Sequence, residues 1–267
     1  MILLALLRRS LARHRALIIA VVTLLSAFQI LDIVVAYNLQ AKGVYGQFAS
    51  LVPAFIQEAM GGVLVGSFPG AIALGFAHPL VMLSLSCVAI YLASEPAGEV
   101  EDGLVDLVVA RPVPRSLIVT RSALASMVGS GAIVAAMFAT SRITVATLSP
   151  ATLTTLPALR LAWVAANLLA IVWCFAAVAL AMASRVRERM RAAGTIGLVA
   201  VFLYLLQFGA AAWTPLRPFA RVSPFHYYEP MRTLLGSISP ARDILGLLAA
   251  TAAVFALAYV LYEKRDL

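Results

Sequence analysis

Four acids stand within eight residues, Glu99, Glu101, Asp102 and Asp106, and Arg111 and Arg115 follow closely. The chemistry open to such a group is that of charge: a docking surface for a protein partner, or a solvated connector. Catalytic alternatives lack their parts. The three histidines, His14, His78 and His226, lie far apart, and neither HExxH nor GxSxG occurs. Cys87 and Cys174 sit alone in apolar runs and read as small packing residues, neither a disulfide nor a metal site. No GxxxxGK[ST] phosphate loop is present, and the two lysines, Lys42 and Lys264, are outside any such context. The chain therefore binds no ATP in that manner by itself. Asp32 is the one acid well inside an apolar run, and a charge at such depth is a functional candidate by default. With Gln29 one turn below, it is a candidate lining of a translocation path. It also lies about 24 Å of helix rise beyond Ala16, near the outer edge, where a side chain reaching for water is the better account of it and of Gln29.

The elements that must hold these residues follow from composition. Of 267 residues, 63% are hydrophobic and 12% charged, and the mean hydropathy is +0.97, values of a chain that lives in a bilayer. A helix needs about 20 apolar residues to cross a hydrocarbon core of about 30 Å. Six runs qualify: Ala16–Tyr37, Ala71–Ala93, Leu117–Ser141, Leu161–Ala183, Ala192–Trp213 and Ile244–Tyr262. His78 and Pro79 interrupt the second, so its outer third reads as a separate helix. The expected fold is an all-α, polytopic membrane protein forming one transmembrane domain over 1–267. With a cytoplasmic N-terminus, 13 Lys and Arg fall on the inner face and 7 on the outer, which makes both termini cytoplasmic in a cell (inner) membrane. The cluster Arg185, Arg187, Arg189 and Arg191 pins the turn between the fourth and fifth spans. A sequence pI near 10.0 thus reflects topology, and no nucleic-acid partner is expected. The first apolar run is longer than a signal-peptide core and is expected to stay.

Residues 1–15 place Leu3, Leu4, Leu7 and Leu11 on one helical face with Arg9 and Arg13 opposite, the pattern of an interfacial helix. A simple positive flank to the first span explains the same residues. Pro215, Pro218, Pro224, Pro230 and Pro240 exclude one continuous helix in the last outer loop, where Trp213, Phe219, Phe225, Tyr227 and Tyr228 read as interfacial anchors. The outer stretch 48–60 reads as a surface helix, and Gly62, Gly66 and Gly70 are spaced for close backbone approach. In the acidic loop, Val100, Leu104, Leu107 and Val108 fall at helical spacing, which predicts a helix of about 20 Å over 97–110 with Gly103 in its middle. That helix is too short to span. An acidic helix on the side reserved for positive charge calls for a protein partner.

The run AGEVEDGLVDLVVARPVPR, with Glu99, Gly103, Asp106, Leu107, Arg111, Pro112 and Arg115, resembles the first cytoplasmic loop of ATP-binding-cassette permeases of the type-2 exporter (ABC-2) membrane family. SPFHYYEPMR over Ser223–Arg232 and YEKRDL over Tyr262–Leu267 resemble two further segments of that family. Leu104 departs from it, where a Thr commonly follows the glycine. The resemblance implies a non-catalytic, six-span permease, paired as a homodimer or with a paralogue, over two copies of a separate ATPase that carries the ATP and Mg. It also implies that the N-terminal helix and the coupling helix touch the ATPase, and that the acid matching Glu99 helps transmit its motion. Alternating-access export is the activity expected. The alternative is a complex of the same architecture that transmits a conformational signal or supports envelope assembly without moving cargo.

Overall fold

The computed structural model describes residues 2–43, 47, 67–103, 114–149, 151 and 156–265. Helix α1 (Ile2–Arg13) stops at His14, and α2 (Arg15–Ala41) starts at once as the first long apolar helix. The second is broken where the sequence says it must be. Helix α3 (Phe68–Ala77) is capped by Ser67, whose Oγ accepts the Gly70 N–H at 3.2 Å. A residue before proline is driven out of the helical region, and His78 is accordingly extended, with φ −61° and ψ 137°. Its Nδ1 then accepts the Leu80 N–H to cap α4 (Pro79–Ala93).

Helix α5 (Glu95–Glu101) follows immediately, with Pro96 in its first turn, where a missing N–H costs nothing. Here the structure departs from the expected helix over 97–110. The helix begins two residues earlier and closes at Glu101, giving about 10 Å of rise. The reason is Gly103, which adopts φ +68°, while the Asp102 and Gly103 N–H groups turn back to the Gly98 and Val100 carbonyls. A glycine in the left-handed region is a common helix stop. Asp106, Leu107 and Arg111, together with the rest of 104–110, lie outside the described residues, as do the stretch 48–60 and Gly62 and Gly66.

Helix α6 (Arg115–Leu148) runs about 51 Å, further than the bilayer needs. Helix α7 (Ala158–Ala183) is the axis of the bundle and packs against α4, α6, α11 and, at its lower end, α8 (Arg189–Ala212). Its alanines, among them Ala170, Ala176 and Ala179, let neighbouring backbones approach where lipid offers no competing hydrophobic drive. Helix α8, by contrast, buries little beyond Ala192, Ile196 and Ala200 and turns Leu198, Phe202 and Leu205 outward.

After α8 the prolines each open a short helical piece: Thr214–Leu216, α9 (Arg217–Ala220), Pro224–Tyr227 and α10 (Pro230–Leu234). The aromatics there do not all face the interface, as the sequence suggested. Trp213 and Phe219 are exposed, but Phe225 and Tyr228 are buried, and Phe225 packs between Phe175 and Tyr204 with ring centroids 5.2 and 5.5 Å away. Folding back into short turns brings these rings onto α7 and α8. Helix α11 (Ala241–Glu263) closes the bundle. Beyond it Arg265 donates to the Ala183 and Val186 carbonyls at 3.2 and 2.7 Å, satisfying the open end of α7. Arg115 in turn donates to the Arg265 carbonyl at 2.9 Å. The start of α6, the end of α7 and Arg265 therefore share one end of the bundle, and the C-terminal end of α1 and helix α5 meet there too.

Candidate functional site: a buried ionic joint under the bundle

Helix α5 is tied into the molecule by its acids. Glu95 and Glu99 are four residues apart and so share a helical face, which is turned toward α6. Arg121, in the second turn of α6 and 6% exposed, reaches both: its Nη1 lies 2.6 Å from Glu99 Oε1 and its Nη2 3.7 Å from Glu95 Oε2. On the other side Glu95 accepts the Ser10 hydroxyl of α1, and His14 Nε2 lies 3.8 Å from its second oxygen. Burial by itself pushes the Glu95 carboxyl up. The neighbouring His14 ring, the Arg121 charge and the Ser10 hydroxyl outweigh it and hold the pKa at about 2.

The fifth long helix is held from the same element. Glu101 Oε2 accepts the backbone N–H of Arg189 at 2.9 Å, a carboxylate on the first turn of α8 where the open N–H groups favour negative charge. The Arg189 side chain passes beneath α5, lies 3.7 Å over the Tyr91 ring, donates to the Tyr91 carbonyl at 2.9 Å and meets His14 Nε2 at 3.4 Å. Gly98 makes this possible, since a Cβ there would stand 3.0 Å from Arg189 Cδ. Asp102 pairs with Arg13 at 3.2 Å, but both are half exposed and the pair contributes little by itself.

Of the residues singled out in the sequence, Glu99, Glu101 and Asp102 meet in this joint, and Gly103 terminates the element that carries them. Arg115 does not join them; it holds the C-terminal segment instead. Gln29 is fully buried, donating to the Gly75 carbonyl at 3.1 Å and accepting the Ser141 hydroxyl at 3.2 Å. It thereby seals α2 against α3 and α6. Asp32 points into the same contact, its Oδ2 without a hydrogen-bond partner. Gly75 leaves it room, for a Cβ there would fall 2.5 Å from that oxygen.

Sequence reasoning missed Glu95, Arg121, Arg189, His14 and Ser10. Spacing held a usable signal: Glu95 stands four residues before Glu99, and Ser10 four before His14. That Arg121 is swallowed by the cluster was not visible, because an arginine two turns into a span also reads as a positive flank.

Among the described residues the arrangement is one of matched charges: a short acidic helix tied by its carboxylates to α1, α6 and α8. Separating such buried partners leaves an uncompensated charge, at a cost of about 3–5 kcal/mol, so the pieces move together or hardly at all. The six long apolar helices and the absence of strands among the described residues define an all-α, multi-pass membrane protein. No protein-family model matches the chain, and no curated protein matches it.

Proposed function

We propose that the chain is the non-catalytic membrane subunit of an ATP-binding-cassette exporter, with α5 as the element on which a separate ATPase acts. The observation that carries this reading is the joint itself. A seven-residue acidic helix just beneath a bundle has no need of three anchors, one of them the buried Glu95, if it is only a connector. Its anchors run to α1, to the third long helix and to the fifth, so a push on α5 is delivered to much of the bundle at once. The excess of Lys and Arg at this end supports its being cytoplasmic, where an ATPase would be. The resemblance of 97–115 to the first cytoplasmic loop of ABC-2 permeases supports the same assignment. Two such chains, identical or paralogous, would then pair over two ATPase subunits, and ATP would enter through those partners.

The test uses Asp102→Cys in a chain whose Cys87 and Cys174 are replaced by alanine. A membrane-impermeant thiol reagent applied to intact cells is expected to leave Cys at this position unlabelled, and a bifunctional thiol crosslinker in opened membranes is expected to join it to a nucleotide-binding protein. Labelling from outside the cell, or crosslinked products with no nucleotide-binding protein among them, overturns the assignment. Vesicles holding the purified complex then separate export, which accumulates cargo, from signalling, which shows ATPase activity without accumulation.

A further inference from the structure

A cavity of about 490 Å³ opens between α7 and α11, its mouth beneath the turn that carries Arg221 and Tyr227 and its floor reaching toward Val178. Its walls are the lower part of α7, at Cys174 and Val178, and one stripe of α11, formed by Gly246, Ala250 and Val254. These three recur every fourth residue and lie one above another. The stripe is small at the top and stays apolar. From Arg242 to Val254 it runs about 18 Å, slightly more than the half-thickness of a hydrocarbon core. At the mouth stand Arg221, Arg242 and one acid, Asp243. Among the described residues, no hydrogen bond or ion pair engages either guanidinium, and both side chains are exposed.

We propose that this groove is a binding site for an anionic amphiphile, its phosphate-like head on Arg221 and Arg242 and its acyl chain along Val178, Ala250 and Val254. The argument is one of complementarity. A guanidinium is a preferred partner for phosphate, and two of them above a single carboxylate leave the mouth net positive. Below, the groove is about one leaflet deep and mainly apolar, the Thr251 hydroxyl being spent on the Leu247 carbonyl; this is the shape of a chain anchored at the interface. Apolar walls alone cannot select a lipid tail in a membrane, because the surrounding tails are equally apolar. Selection must therefore come from the arginines. The site stands on its own geometry, whether or not the assembly exports cargo.

The experiment places the full chain in phosphatidylcholine vesicles with a twelve-carbon alkyl phosphate carrying a diazirine at its last carbon, and in parallel with an uncharged alkyl glycoside bearing the same group. After photolysis, peptides containing Val178 and Ala250–Val254 are expected to dominate labelling by the phosphate probe, relative to the lipid-facing α8 peptide around Phe202. Replacing both arginines, Arg221→Gln with Arg242→Gln, is expected to cut groove labelling about tenfold or more while the α8 signal stays constant. Ala250→Phe fills the groove without touching the charges and should cut it as well. Equal labelling of the groove by the uncharged probe overturns the proposal, as does labelling spread evenly over the exposed helices. So does a copy-to-copy disulfide formed by Ala250→Cys, which would show a second chain in the groove.

Discussion

Burial alone would drive the Glu95 carboxyl toward its neutral form, and its charge survives because His14, Arg121 and Ser10 surround it. The folded-state pKa, about 2, lies below the ordinary value of 4.5, so the stabilisation is present in full above about pH 4.5. It is lost as the pH falls toward 2. By linkage the interval corresponds to about 3 kcal/mol for this buried group. The melting temperature of the purified protein is therefore expected to fall most steeply between about pH 4.5 and pH 2. Glu95→Gln should start lower at neutral pH by a comparable amount and lose much less on acidification. Parallel curves for the two proteins would remove Glu95 from the joint. Such a residue escaped the sequence reading because it abuts an apolar run, where an acid looks like the first solvated residue after a span. Only the fold shows that α1 and α6 close over it.

At the scale of elements, the contact between α2 and the broken second span is where one atom decides the packing. Gly75 faces Asp32 so closely that an added methyl would meet its unpartnered oxygen at 2.5 Å. Gly75→Ala is expected to destabilise the protein by about 1 kcal/mol, since the Asp32 carboxylate must turn aside while Gln29 Oε1, 3.1 Å from the new methyl, is held by its hydrogen bonds. Asp32→Ala removes the obstacle, and its oxygen makes no hydrogen bond that would be missed, so the single change should be nearly neutral. The double variant should then recover most of what Gly75→Ala loses, a coupling that unfolding in detergent can measure. Additive losses would mean the two residues do not touch. The existence of these elements was legible, because each span is a long apolar run and Pro79 dictates the break at His78. The end of α5 was not. Leu104, Leu107 and Val108 extend the helical pattern of Val100 beyond Gly103, and apolar spacing carries no mark of the left-handed turn that stops the helix. The burial of Phe225 was equally hidden, since an aromatic among prolines fits a membrane interface as well as a core.

For the molecule as a whole, the proposed role of α5 as the element on which an ATPase acts requires that a force on it carry the bundle with it instead of bending the joint. A partner shifts a conformational equilibrium only by its unequal affinity for the two states, typically about 1–3 kcal/mol between coupled sites. Breaking the buried pairing of Arg121 costs more than that. The joint should therefore hold while whole copies rock against each other, a rigid-body transition of the kind that repacks interfaces and leaves packed cores intact. Spin labels at Asp102→Cys and Arg187→Cys report the two possibilities in the assembled complex. Within one chain their separation is expected to stay constant when ATP is added, because α5 and the start of α8 are bonded through Glu101 and the Arg189 N–H. Between the two membrane subunits, the separation of the Asp102→Cys labels should change by several ångströms. Arg121→Met leaves the exposed Asp102 edge of α5 available to the ATPase but removes the grip of α6. In that variant the distances within one chain should broaden with ATP, and hydrolysis should continue without the rocking motion. A wild-type chain whose internal distance shifts while its distance to the second copy does not would locate the flexible point inside the joint, and α5 could not then be the lever.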